Sequence, residues 1–398
     1  MPGAVGHACA GRLSSLGRSR TSRDRRSGED TIGVLALRPA PVALRAVTAP
    51  LPLPLLLDVD TGIDDSLALL YACASPDADL IAVTCCSGNV EARQVAVNTL
   101  AVLELAGRAD VEVALGREVP LVRPLETTPE THGPRGIGHA ELPVAARALS
   151  ERHGADVIVE EARWRPGEIT LVTLGPLTNL AVALEREPAL PGLLRSWTLM
   201  GGAYRAPGNT APTSEWNIHV DPEAAKACFA AWEAAAADGV ARPLAMGLDV
   251  TERAKFTPEH MTALARRAGS RPLDGADEGH GSVASNPIVR FLADALRFYM
   301  EFHSHYDGFY GAFIHDPFAV AATLDRTLVR TEALTVDVEL AGTLTAGETV
   351  TDWRRVWGRP PNLDVAVEGE ATAFLDRFVE RVGTLAANVA TLHTLAGE

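Results

Sequence analysis

Cysteine is scarce in this chain and poorly placed for joint work. The five residues, Cys9, Cys73, Cys85, Cys86 and Cys228, are odd in number and form no Cys-x-x-Cys pair. That spacing argues against a disulfide framework and a zinc–thiolate site. Cys85 and Cys86, inside "LIAVTCCSGN", are expected to be small core residues of a buried strand in a reducing cytoplasm. No stretch approaches 18 consecutive apolar residues, so no membrane span or membrane partner is expected. The segment "GRLSSLGRSRTSRDRRSGED" has no apolar core of the kind a secretory signal needs. It has the Arg and Ser of a transit peptide without a clear amphipathic period, and residues 1–50 are expected to be a disordered, Arg- and Pro-rich extension. Excess positive charge is also missing from the body. Residues 1–50 hold eight Arg against three acids, so the net charge of −15 leaves about −20 on residues 51–398. Such an acidic body disfavours nucleic acid as the main partner.

What remains is a globular composition, 47% hydrophobic, with enough apolar material for a large core. The runs "LPLPLLLDVD", "DLIAVTCC", "DVEVAL", "EITLVTLG", "SWTLMGG" and "PLAMGLDV" are continuously apolar. Strands covered on both faces need that pattern. Between several of them lie stretches with helical spacing, such as "ARQVAVNTLAVLELAG" and "LTNLAVALEREP". The alternation predicts an α/β fold with a mostly parallel, doubly wound, Rossmann-like sheet. Near the end, "LTVDVELAGTLTAGETVTDW" alternates around turn glycines and predicts an added antiparallel hairpin. No repeat or linker divides residues 51–398, which are expected to form one catalytic domain. Polar clusters recur just after the strands, where ligands bind in such sheets.

The sharpest cluster is "LLLDVDTGIDDSLALLYA", residues 55–72. It sets Asp58, Asp60, Asp64 and Asp65 within eight positions. Gly62 permits a tight turn, and Ile63, Leu67, Leu70 and Ala74 give a helical face that Ser75-Pro76 stops. Asp64 and Asp65 therefore fall in a first helical turn, where the dipole favours anions by about 0.3–1 kcal/mol each. That is too little to hold several carboxylates together in a partly dry cleft. A bound cation is enough, and hard oxygen ligands suit Ca²⁺ or Mg²⁺. Asp58 is expected to do no more than cap the helix, while Asp60 and Asp65 are expected to bind metal. The same letters loosely fit the D-x-D-x-T opening of haloacid-dehalogenase-like phosphatases. No convincing downstream Lys and Asp-Asp segment completes that set.

Asp-x-Asp-x-Gly-x-Asp-Asp also resembles the opening signature of the inosine–uridine-preferring nucleoside hydrolase family. The resemblance continues in order: "SGN" ending at Asn89, "HGPRGIG" from His132, "LGPLTNLA" from Leu174 and "MGG" from Met200. It then runs through "GNTAPTSEWNIHVDPEAA" from Gly208, "GLDVT" from Gly247, "HDPFAVA" from His315, and the hairpin near 335–353. Nearly all of 51–398 is covered. The resemblance implies Ca²⁺ held by Asp60, Asp65, Asp316 and the backbone carbonyl of Leu174. Asp60 doubles as general base for the attacking water, and His315 protonates the leaving base. Asp64, Asn89, Asn209, Glu215 and Asn217 hold the ribose, and Met200 lines its pocket. The implied reaction splits a ribonucleoside into ribose and a free base, for nucleoside salvage in the cytoplasm, by a homo-oligomer (dimer or tetramer). Thr61 replaces a usual Pro and Trp216 a common Phe. The Trp bears on pocket shape and base preference.

These residue types suit the chemistry. Cleavage passes through an oxocarbenium-like state that nearby anions stabilise. A divalent ion fixes the sugar hydroxyls and lowers the pKa of the attacking water. His132 opens a Gly-rich loop and is read either as a substrate-covering residue or as part of a surface loop. His303, His305, Tyr306 and Tyr310 are read either as base contacts or as packing. Arg93 and Arg135 are expected to be surface charges, and Asp221 a helix cap. Two other classes stay open: a Mg²⁺-dependent phosphohydrolase, and a silent ribonucleoside-binding protein.

Overall fold

The apolar run after Pro52 becomes strand β1 (Leu53–Val59), near the centre of an eight-stranded sheet. The computed structural model describes residues 51–270 and 281–396. The expected extension over residues 1–50 lies outside them. The further strands are β2 (Ala78–Cys85), β3 (Glu112–Leu115), β4 (Thr170–Thr173), β5 (Ser196–Met200), β6 (Leu244–Met246), β7 (Lys255–Phe256), β8 (Ala312–Phe313), β9 (Val329–Leu334), β10 (Val336–Val338), β11 (Thr349–Thr351) and β12 (Leu363–Gly369). The main sheet runs β3-β2-β1-β4-β5-β6-β12-β9, with every pairing parallel except β12 with β9. The doubly wound α/β expectation holds.

Both faces of the sheet are covered, which explains the unbroken apolar runs. Leu55, Leu57 and Val59 join one core with Leu67 and Leu70, while Leu56 joins the opposite core with Ile158 and Leu180. The chain winds outward from β1 to β3 and then returns to β4 on the other side of β1. That reversal opens a crevice beyond the carboxyl ends of β1 and β4, the usual ligand position in such sheets. Asp60 follows β1 there and Leu174 follows β4, with Leu174 N–H bonded to Asp58 O at 2.8 Å.

Helix Ile63–Ala74 is buried from Ile63 to Ala72. It lies against helix His315–Leu324, so the acidic first turns of both helices reach the crevice from one side. The predicted hairpin is the antiparallel pair β10–β11, set apart from the main sheet. It braces the crevice: Thr349 Oγ1 donates to Ala203 O at 2.8 Å and accepts from Ala203 N–H at 3.1 Å, and Ser214 Oγ donates to Ala346 O at 2.6 Å. One predicted strand is shorter than its sequence. "PLAMGLDV" leaves the sheet at Met246, and its last residues start the one-turn helix Leu248–Thr251.

Candidate active site

The crevice is a cleft of about 550 Å³, and no Arg or Lys lines it among the described residues. Carboxylate oxygens of Asp64, Asp65 and Asp316 lie within 4.8 Å of one another. Asp60 stands beside this triad. Its Oδ2 accepts from Asn89 N–H at 2.8 Å, and its buried Oδ1 has no hydrogen-bond partner among the described residues. Asp65 is held hardest, accepting from Gly62 N–H at 2.9 Å, Asp60 N–H at 3.2 Å and Asn89 Nδ2 at 3.1 Å. Asn89 thus fixes two carboxylates at once.

Two glycines let the backbone close around Asp60. A Cβ on Gly88 would fall 2.1 Å from Asp60 Oδ2, and one on Gly175 would fall 2.8 Å from Oδ1. The short motifs "SGN" and "LGP" are therefore the walls of the Asp60 carboxylate.

Burial, reinforced by neighbouring carboxylates, pushes Asp60, Asp64 and Asp316 well above ordinary carboxylate values. Asp65 is raised by burial too, but its backbone donors pull against the rise. Ionised carboxylates buried without a counter-charge carry penalties of several kcal/mol each, on the order of magnitude known for buried ions. The set therefore fits a hard divalent cation: all-oxygen donors and, among the described residues, one Asp60 oxygen unpartnered and no cationic side chain lining the cleft to compete. Leu174 O also faces this region, although it already accepts from Asn217 Nδ2 at 2.6 Å.

The remaining predicted residues line the same cleft. Glu215 caps helix Trp216–Val220, accepting from Gly202, Asn217 and Ile218 N–H at 2.8, 2.9 and 3.2 Å. Burial raises its pKa, and these donors oppose the rise. Asn217 Nδ2 also reaches Met200 O at 3.2 Å, tying β4 to β5. Asn209 accepts from Trp216 N–H at 3.0 Å.

His132 is buried, and its Nδ1 accepts from Ile63 N–H at 3.1 Å, so the neutral ring carries its proton on Nε2. His315 Nδ1 sits 2.8 Å from Thr251 Oγ1, and that hydroxyl also bonds Gly247 O at 3.2 Å. Burial, with the other cleft histidines adding, pushes His132 and His315 down to about 3.

Several expectations need adjusting. Asp58 caps nothing. It lies in β1 and accepts from Thr84 Oγ1 at 2.6 Å and Asn179 Nδ2 at 2.8 Å, while burial pushes it up to about 7. The segment after His132 is a surface loop only in part: Pro134 and Arg135 are exposed, but Gly136 and Ile137 are buried, and Asn98 Nδ2 ties the loop to the turn before the first helix through Arg135 O at 2.8 Å and Thr61 O at 3.0 Å. Of the His and Tyr cluster, His303 and Tyr306 line the cleft, while His305 and Tyr310 do not. Arg93 and Arg135 do pair with surface acids, and Asp221 does cap its helix. Individual residues the sequence reading passed over include Thr251, Tyr299 and Glu252. Tyr299 was findable, lying one turn before His303 on the same helix face.

Comparison with known proteins agrees with this geometry. Residues 55–376 match the model of the inosine-uridine preferring nucleoside hydrolase family. The pyrimidine-specific ribonucleoside hydrolase RihA of Escherichia coli O9:H4 (strain HS) is 35% identical over 332 residues, 83% of this chain and 98% of that protein. The solved purine-preferring ribonucleoside hydrolase from Gardnerella vaginalis aligns with a TM-score of 0.74 and 31% identity, over 84% of this chain and 99% of that one. A plant nucleoside hydrolase gives 0.73 and 30%, over 83% and 99%.

Proposed function

From the premise that this chain belongs to the inosine-uridine preferring nucleoside hydrolase family, we propose a Ca²⁺-dependent ribonucleoside hydrolase in which Asp60 is the general base. The carrying observation is the convergence of Asp64, Asp65 and Asp316, with Asp60 bonded to Asp65, at a cleft that no Arg or Lys lines among the described residues. Asp60, Asp65, Asp316 and the Leu174 carbonyl hold the ion, and Asp64, whose oxygen joins the triad, faces the sugar from the same side. When bound, Ca²⁺ supplies charge neutralisation and lowers the pKa of the attacking water.

The chain's own residues do the rest. Asn89 N–H occupies Asp60 Oδ2, leaving Oδ1 to take a proton from water. Glu215, Asn209, Asn217 and Asn89 offer polar groups for ribose hydroxyls, with Met200 packed beneath. The carboxylates favour the oxocarbenium-like state. His315, neutral at rest, first takes up a proton from solvent and then passes it to the departing base, ending neutral again. The catalytic unit is residues 51–398.

Release of phosphate by D-x-D-x-T chemistry finds no support, because no Arg or Lys lines the cleft among the described residues to take phosphate charge. Relatives named for pyrimidine and for purine nucleosides make both base classes the substrates to try. Purified protein incubated with a nucleoside panel should release free base. Chelation should abolish this and Ca²⁺ should restore it. Full turnover after chelation, or phosphate release without base release, would overturn the reading.

A further inference from the structure

The one-turn helix Leu248–Thr251, which follows β6 where the chain leaves the sheet, carries a hydroxyl that the proposed reaction leaves unused. Thr251 is fully buried, and its Oγ1 meets two partners. It donates to Gly247 O at 3.2 Å and lies 2.8 Å from His315 Nδ1. A hydroxyl has one hydrogen, and a carbonyl only accepts. With that hydrogen on Gly247 O, Thr251 has only lone pairs to offer the ring. Nδ1 then carries a hydrogen, and the neutral ring keeps its lone pair at Nε2. Backbone bonds anchor both ends of this contact. Leu248 N–H donates to Gly202 O at 3.0 Å, and the Asp249 carboxylate accepts from Tyr204, Arg205 and Ala206 N–H at 2.9, 2.8 and 3.1 Å. Ile314 N–H, next to His315, donates to Ala254 O at 3.1 Å. His315 itself lines the cleft, and with Nδ1 taken by Thr251 only Nε2 is left to meet a ligand.

We propose that Thr251 is a positioning residue for departure of the base: its hydroxyl holds His315 in the Nδ1–H form, so that Nε2 alone receives and delivers the proton. This rests on the reading of the cleft as a nucleoside hydrolase site with His315 as proton donor. Nε2 gains one proton from solvent and gives it to the base as the bond to C1′ breaks and its electron pair goes to the base nitrogen. The ring ends as it began. Nδ1–H faces Oγ1 in the neutral and in the charged ring alike, and the Oγ1 hydrogen stays on Gly247 O. No hydrogen bond has to be remade while the proton moves, which is the advantage of a preorganised donor.

The test compares Thr251→Val, close in shape but without the hydroxyl, with Thr251→Ser, which keeps it. At saturating Ca²⁺, Thr251→Val should lower kcat for uridine and inosine by roughly tenfold, the scale of one hydrogen bond to a ring that is charged in transit, with KM little changed. 4-Nitrophenyl riboside, whose leaving group needs no proton, should be cleaved at nearly the wild-type rate, which a general structural defect would not allow. Thr251→Ser should recover most of the nucleoside kcat. A second readout is independent of turnover. In protein carrying isotope-labelled histidine, the ring-nitrogen resonances that His315→Ala removes belong to His315. At mildly alkaline pH they should show hydrogen on Nδ1 and none on Nε2 in the wild-type chain, and a shift toward the opposite form in Thr251→Val. If Thr251→Val fails to fold, the wild-type resonances decide. A wild-type ring with its hydrogen on Nε2, an unchanged nucleoside kcat in Thr251→Val, or equal slowing of nucleosides and 4-nitrophenyl riboside overturns the assignment while the hydrolase reading stands. A wild-type chain that cleaves none of the three substrates overturns both.

Discussion

At the scale of single residues, the cleft separates two roles. In the proposed reading Asp60 is the base for the water proton, its Oδ1 having no hydrogen-bond partner among the described residues. His315 is turned by Thr251 and sits 5.8 Å, ring to ring, from Phe313 on the aromatic side. Asp60→Asn keeps the shape but removes a base and a charge. Loss of a general base alone lowers kcat by roughly 10²–10⁴-fold, and weaker ion binding adds to it. The loss should appear with nucleosides and with 4-nitrophenyl riboside alike, at saturating Ca²⁺. His315→Ala should slow nucleosides and barely touch the nitrophenyl substrate, whose leaving group needs no proton. Steady-state kcat for both variants on both substrates decides this. Equal slowing of both substrates by His315→Ala would reassign that histidine to structure or to ribose binding.

At the scale of elements, the site is made where two strand ends and two helix starts meet. Helix Ile63–Ala74 delivers Asp64 and Asp65, helix His315–Leu324 delivers Asp316, and the turns after β2 and β4 supply Gly88 and Gly175. In the proposed reading these glycines are positioning residues for the Asp60 carboxylate. Gly88→Ala would place a methyl group 2.1 Å from Asp60 Oδ2 and displace that carboxylate. Misplacement of about 1 Å is enough for a loss of order 10²-fold in kcat, while the stability cost of one extra methyl is typically about 1–3 kcal/mol. Gly192→Ala, where a Cβ meets nothing within 4 Å, is the matched control. The expected result is a large kcat loss with a modest Tm loss for Gly88→Ala, and neither for the control. A normal kcat in Gly88→Ala would mean that Asp60 tolerates displacement.

At the scale of the whole molecule, the buried acids set a pH dependence. In protein stripped of divalent ions, Asp60, Asp64 and Asp316 bind protons more tightly folded than unfolded, and Asp58 does so up to about 7. The folded state then holds more protons than the unfolded one, so stability falls as pH rises. His132 and His315, held down to about 3, act oppositely, since they bind protons more readily once unfolded. Their effect ends near pH 6.5. From pH 6.5 to 8 the acids act without that opposition, and Tm of chelated protein should fall. Saturating Ca²⁺ favours the ionised acids and should raise Tm and flatten the slope. Scanning calorimetry across that window, with and without Ca²⁺, checks both signs. A chelated Tm that rises from pH 6.5 to 8 would contradict the burial argument. The N-terminal segment should contribute nothing comparable. Residues 1–45 lack a core-forming pattern, so their removal should leave Tm and turnover unchanged, as melting and kinetic measurements on the truncated chain will show.

The sequence by itself determined the periodic features of this protein. Continuous apolar runs fix strands that must be covered on both faces, and the helical spacing from Ile63 to Ala74 follows from a turn glycine and a Ser-Pro stop. The acidic signature and its ordered companions marked the cleft, because each lies in a short segment whose letters carry its turn or cap. Only the tertiary structure decided which carboxylates face one another. Asp316 lies 251 residues from Asp65 in the chain, and packing of their helices brings them together. The same holds for Asp58, turned away toward Thr84 and Asn179, and for His303, which the fold brings to the wall of the cleft. Which way a side chain points across a helix or strand end depends on neighbours distant in sequence, and no local pattern encodes them.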